Sequence, residues 1–209
     1  MRTHTKETQS SMTPDKAIQF LKEGNERFMN NLKTNRNLLQ QVNETSTGQF
    51  PFAAILSCID SRTSAELVFD QGLGDVFSIR VAGNIVNEDI LGSMEFACNA
   101  AGSKLIMVLG HTKCGAIIGA CNHVELGNLT GLLKKVGPAI ERETATKTER
   151  NGKNLEFVTH VTENNVHLAI EQIRKQSPIL TDMEREGEIR IIGGMYDVET
   201  GRVDFYGIG

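Results

Sequence analysis

An alternation of short apolar runs with segments of helical pattern restricts the fold more than any other feature of this chain. Residues 52–57 (Phe-Ala-Ala-Ile-Leu-Ser) form such a run, the mark of a strand covered on both faces. Residues 76–81 and 104–109 supply two more strands. Between them, 88–101 sets Ile90, Leu91, Met94 and Ala97 on one helical face. Apolar strands alternating with helices predict βαβ crossovers, hence an α/β fold with a mostly parallel sheet and flanking helices. Near the end, 188–193 reads as a further strand. The turn Glu199-Thr200-Gly201-Arg202 then leads into 203–206, which predicts an antiparallel C-terminal edge hairpin. The stretch 128–176 is helical by pattern, broken at Gly137-Pro138 and by a polar loop over 144–153.

Ahead of the first strand, residues 1–12 are polar, and Thr13-Pro14-Asp15 marks a helix start with Thr as cap and Pro in the first turn. Ile18, Leu21, Phe28 and Leu32 lay an apolar stripe along that helix. The reading is one domain over 1–209, with an N-terminal helical arm over 1–33 and an α/β core over 50–209. A stripe so far from the first strand needs cover, from its own domain or from a partner subunit.

Composition narrows the partners. Hydrophobic residues make up 39% and charged residues 23%, ordinary for a globular protein in water. A net charge of −4 argues against a nucleic-acid surface. No window approaches the run of about 20 apolar residues that crosses a bilayer, so no membrane partner is expected. The start, Met-Arg-Thr-His-Thr-Lys-Glu-Thr, lacks the apolar stretch of a secretory signal, and a cytoplasmic location is the expectation. Four cysteines in a chain of this length do not suggest a disulfide framework. Cys98 and Cys121 read as buried thiols acting as small hydrophobes.

Cys58 and Cys114 have chemically suggestive neighbours. The first strand ends in Ser57-Cys58-Ile59-Asp60-Ser61-Arg62, and the third in Gly110-His111-Thr112-Lys113-Cys114-Gly115. Ligands of open parallel sheets collect beyond the carboxyl ends of strands. If these two strands are neighbours, Cys58, His111 and Cys114 converge. Two thiolates and an imidazole suit Zn²⁺, and three protein ligands suit a catalytic ion that keeps a position for water. A His-x-x-Cys at a helix start equally suits a buried cysteine beside a capping histidine; Cys58 tips the choice toward a metal. Asp60 and Arg62, two residues apart, can form a charge-assisted pair. On a surface such a pair does little. Beside a metal ligand, the carboxylate can orient a water whose pKa the ion lowers toward about 7.

Cys-x-Asp-Ser-Arg at 58–62 and His-x-x-Cys at 111–114 together resemble the two signatures of β-class carbonic anhydrases. The resemblance runs in detail over 48–122 and includes Asp70-Gln71-Gly72-Leu73-Gly74-Asp75-Val76-Phe77, Arg80-Val81-Ala82-Gly83-Asn84 and Cys114-Gly115-Ala116. It implies reversible hydration of carbon dioxide to bicarbonate, with one Zn²⁺ per subunit on Cys58, His111 and Cys114 and with Asp60 and Arg62 as catalytic dyad. It also implies homodimers or homotetramers whose active sites lie at the dimer interface, with the N-terminal helix embracing the other subunit. Gln49 matches a glutamine that reaches substrate across that interface. Phe77 and Ala82 match the lining of an apolar entrance, Gly115 supplies a backbone N–H, and Phe96 stands where plant-type members carry tyrosine. His4, His123, His160 and His167 are proton-shuttle candidates by residue type alone.

One subgroup of this family closes its site when aspartate takes the fourth metal position, and bicarbonate in a separate pocket favours that state. The pocket's arginine and tyrosine match Arg80 and Tyr196, but its tryptophan position is Ile55, which has no N–H to offer an anion. The resemblance therefore points to the open-site, plant-type subgroup. Two alternatives stand beside carbon dioxide hydration: hydrolysis of carbon disulfide or carbonyl sulfide on the same fold, and a zinc-stabilised binding protein without turnover.

Overall fold

The computed structural model describes residues 3–207; residues 1, 2, 208 and 209, which the sequence reading assigns to the arm and the core, lie outside them. Five strands build one sheet: β1 (Ala53–Ser57), β2 (Val76–Arg80), β3 (Leu105–His111), β4 (Arg190–Tyr196) and β5 (Val203–Tyr206). Their order is β2-β1-β3-β4-β5, parallel except for the antiparallel pair β4–β5. Helices α1 (Lys6–Ser10), α2 (Pro14–Met29) and α3 (Leu38–Thr45) precede β1, α4 (Ala65–Val68) joins β1 to β2, and α5 (Glu88–Glu95) joins β2 to β3. Then α6 (Gly115–Cys121), α7 (Gly127–Lys134), α8 (Gly137–Arg142), α9 (Leu155–Gln176) and α10 (Pro178–Arg185) fill the long connection from β3 to β4.

The two central strands explain the apolar runs, since every residue of β1 and β3 is buried. Alternate side chains serve opposite faces. Ala54, Leu56, Ile106 and Val108 pack with Leu91 and Met94 of α5 and with Val166, Ile170 and Ile173 of α9. Ala53, Ile55, Leu105 and Met107 pack with Ala17, Ile18 and Leu21 of α2 and with Ala65 and Val68 of α4. The buried face of helix α2 thus covers its own chain's sheet, one of the two covers its apolar stripe called for. Thr13 caps it by accepting from the Lys16 N–H, and Pro14 begins it, as the sequence predicts. Leu32 falls beyond the helix end and is exposed, so the stripe ends earlier than its spacing suggests.

Two strand ends differ from expectation. β3 continues to His111 because Gly110 and His111 pair with Met195 and Tyr196 of β4. β4 itself begins later, at Arg190, and runs to Tyr196. β2 is an edge strand, its Ser78 and Arg80 exposed rather than covered.

Candidate metal centre

β1 and β3 are adjacent and parallel, with Ser57 opposite Leu109, so the residues just beyond both strands leave the same sheet edge. Cys58 follows β1 directly, His111 is the last residue of β3, and Cys114 stands immediately before α6. His111 therefore belongs to the strand, not to a helix start. The turn between His111 and Cys114 is tight: Thr112 donates its N–H to the Tyr196 carbonyl, and Lys113 takes a left-handed φ of 56°.

The three side chains converge. Among the described residues, Cys58, His111 and Cys114 form the one such cluster, their ligand atoms all within 4.8 Å of one another. The Cys114 thiol lies 3.9 Å from Cys58 Sγ. Two sulfurs bound at about 2.3 Å to a tetrahedral zinc would stand about 3.8 Å apart. His111 Nδ1 is 2.9 Å from the Thr112 carbonyl, which fixes the ring and reserves Nε2 for a ligand role. That Nε2 is buried and has no hydrogen-bond partner among the described residues. A buried imidazole nitrogen without a partner costs free energy, and a metal bond would remove the cost. The donor set fits zinc.

The thiols already favour a thiolate. Cys58 is held well below the usual thiol range, chiefly because the Cys114 thiol donates to it, with His111 and the Gly83 N–H adding to the effect. Cys114 is pushed up by that same donor role and by burial. Gly83 offers its N–H to Cys58 Sγ at 3.4 Å, a contact with no signature in the sequence.

Asp60 stands next to this cluster, Oδ2 4.0 Å from His111 Nε2. Arg62 grips it as a fork, Nε to Oδ1 at 2.9 Å and Nη2 to Oδ2 at 2.8 Å, and adds its backbone N–H at 3.0 Å. Hydrogen bonding from Arg62 holds the Asp60 carboxyl well below the usual carboxylate range, against the opposing effect of burial. The loop is braced in turn by Arg80, which donates to the carbonyls of Cys58 (3.1 Å) and Asp60 (2.7 Å).

The remaining residues singled out in the sequence are dispersed. Ala82 lies in a 3₁₀ turn beside Gly83, and Gly115 opens α6 with clear space where a Cβ would stand. Phe77 pairs in register with Ala54, well back from the carboxyl edge, and meets Phe96 edge to face at 6.1 Å between centroids. Gln49 is exposed and precedes β1, at the opposite edge of the sheet from the cluster. His4 packs with Phe20 and Phe52, His160 faces Glu143, and His167 stacks on Tyr206, none of them at the cluster.

The carbonic anhydrase family model matches residues 53–203, which include β1 to β4 and the whole cluster. The chain belongs to the β-class carbonic anhydrase family. Carbonic anhydrase 2 of Mycobacterium tuberculosis is 34% identical over 192 residues, covering 90% of this chain and 91% of that protein. Among solved structures, a Coccomyxa β-carbonic anhydrase in complex with acetazolamide superposes with a TM-score of 0.71 at 24% identity, over 78% of this chain and 75% of that one. A tetrameric β-carbonic anhydrase of Sordaria macrospora does so at 0.68 and 22% identity, over 81% and 91%. A β-class carbonic anhydrase fold with its cysteine–histidine–cysteine cluster is what this sequence builds.

Proposed function

We infer that this chain catalyses the reversible hydration of carbon dioxide to bicarbonate and a proton, with one zinc ion per subunit on Cys58, His111 and Cys114. The observation that carries this reading is the Asp60 carboxylate, gripped by Arg62 and set beside a buried imidazole nitrogen that has no hydrogen-bond partner among the described residues. Zinc held by that donor set would supply a Lewis acid able to bring the pKa of a water molecule near about 7. Asp60 accepts a hydrogen bond from the attacking water and so orients its remaining lone pair toward carbon dioxide. Arg62 keeps that carboxylate charged and aimed. A zinc site that served stability alone would have no use for this fork.

The open-site subgroup is the reading we favour within the family. Asp60 is engaged by Arg62 through both oxygens, which supports a carboxylate held away from the metal. Ile55 is fully buried among apolar neighbours on the α2 face, which gives bicarbonate no donor at that position.

We also propose a homodimer or homotetramer as the working form. Gln49 cannot serve its own chain's cluster from the far edge of the sheet, so its role requires a second subunit. The open edge of β2, with Phe96, Leu67 and Ile59 exposed nearby, supports an interface on that side. No described helix is long and apolar enough to cross a membrane.

Stopped-flow hydration of carbon dioxide, with carbonyl sulfide hydrolysis assayed in parallel, tests the reaction. Rapid hydration that vanishes on chelation is expected. Carbonyl sulfide turnover without hydration would move the substrate, and a zinc-loaded protein inert to both would be a binding protein.

A further inference from the structure

Behind the metal centre a single buried amide ties helix α9 to the turn that touches Cys58. Asn165 lies in the middle of α9 and is 5% exposed. Its Nδ2 donates to the Gly83 carbonyl at 2.8 Å. Gly83 in turn directs its own N–H to Cys58 Sγ at 3.4 Å. The turn that makes this possible is unusual: Gly83 and Asn84 both take left-handed φ, at 68° and 41°. Asparagine is among the few residues besides glycine that adopt such a conformation, but the Asn84 side chain, itself buried, bonds to nothing described. A backbone bond, Asn84 N–H to the Val81 carbonyl at 2.9 Å, closes the turn. The clamp on the Gly83 carbonyl is the polar contact that reaches this turn from another helix.

We propose that Asn165 is a positioning residue for the metal centre, acting through Gly83 on the Cys58 thiolate. By holding the Gly83 carbonyl it fixes the peptide on the other side of the same α-carbon, and with it the N–H that meets the sulfur. A hydrogen bond to a thiolate withdraws electron density from it. The sulfur then donates less to the ion, which stays a stronger Lewis acid, and the Sγ direction is set before metal binds. The same helix braces the other ligand strand. Methyl groups of Val166 and Thr162 fill the space where a Cβ at Gly110 would stand, 2.7 and 3.2 Å from it, one residue before His111. One helix thus steadies both strand ends that carry ligands.

This inference rests on the zinc reading above, and cobalt(II) substitution separates the two. Wild-type protein loaded with cobalt(II) should show thiolate-to-metal charge-transfer absorption; its absence would sink the metal reading whatever Asn165 does. Asn165→Asp keeps the shape but replaces the donating amide with a carboxylate, and Asn165→Leu removes polarity without adding charge, so at least one should fold. In either, the charge-transfer band should persist but move to longer wavelength, because a sulfur without its hydrogen bond is easier to oxidise. Metal affinity, measured with a competing chelator, should fall about 10- to 100-fold, because a sulfur whose direction is no longer set before binding loses more than its stronger donation returns. Asn164→Leu, the neighbouring asparagine of α9, whose amide donates to the Ala139 carbonyl instead, should match wild type. Wild-type band position and affinity in the Asn165 variants, or an equal shift in Asn164→Leu, would overturn the proposal.

Discussion

Asp60 has two opposite demands on it, since the carboxylate must stay charged while lying close to a buried, apolar-walled cluster. Arg62 meets both, and because its guanidinium is half exposed the pair's value lies in aim and charge more than in stability. Asp60→Asn keeps the shape and loses the acceptor charge. Zinc should remain at full occupancy while hydration falls by about 100-fold or more. Elemental analysis beside stopped-flow kinetics reads both, and undiminished turnover would remove Asp60 from the reaction. Cys58→Ser and Cys114→Ser should instead lose the metal, since a neutral hydroxyl is a poor substitute for thiolate. Full zinc content in either would refute the ligand set. The five polar residues of this centre were legible because their chemistry resides in side-chain type and their position at strand ends. Gly83 and Asn165 were not. A backbone N–H is present at nearly every residue, and an asparagine inside a helical pattern reads as an ordinary surface position until the fold buries it.

At the level of elements, the attachment of the N-terminal segment shows a second charged device, remote from the metal. Asp70, 4% exposed, receives Arg27 Nε at 2.6 Å, Arg36 Nη1 at 2.5 Å, and both the N–H and hydroxyl of Thr34. These contacts pin the end of α2 and the segment after it to the loop that follows α4. Burial alone would raise the Asp70 pKa, but the Arg27, Arg36 and Thr34 donors outweigh it and hold the group at about 2, below an ordinary 3.8. A depressed carboxylate stabilises the fold above its unfolded pKa, and that contribution fades as pH falls through the folded one. The window is therefore pH 4 down to 2. Asp70→Asn leaves a buried guanidinium poorly matched and should cost about 2 to 3 kcal/mol at pH 7, with partly exposed Arg27 contributing little. Urea unfolding of both proteins across that range should show the gap narrowing as the wild type protonates; a gap independent of pH would exclude the assignment. None of this was legible in the sequence, where Asp70 stood only as part of a family-like segment. The two central strands were, since burial on both faces forces continuous apolar composition. Their ends were less so, because Gly110 and His111 pair with β4 without any apolar signal.

At the scale of the whole molecule, the proposed substrate contact of Gln49, which lies before β1 while the cluster lies after it, calls for more than one chain. β1 runs from the Gln49 side to Cys58, so no rearrangement short of unpairing the central strand brings the two together within a subunit. The family resemblance already sets that relation across a subunit interface, and the positions of the two residues in the sheet agree with it. Mixed oligomers decide it. Gln49→Ala and Asp60→Asn chains should each be weakly active alone, since in one every site lacks the glutamine and in the other every site lacks the carboxylate. Dissociated and reassembled together, an interface between unlike chains gives the cluster of the Gln49→Ala chain both its own Asp60 and the partner's intact glutamine. Activity should then rise toward a quarter of wild type in a statistical dimer mixture, where about half the dimers carry one complete site. If Gln49 acted within its own chain, no reassembled site would be complete. Hydration by the mixture would then stay at the average of the two parents.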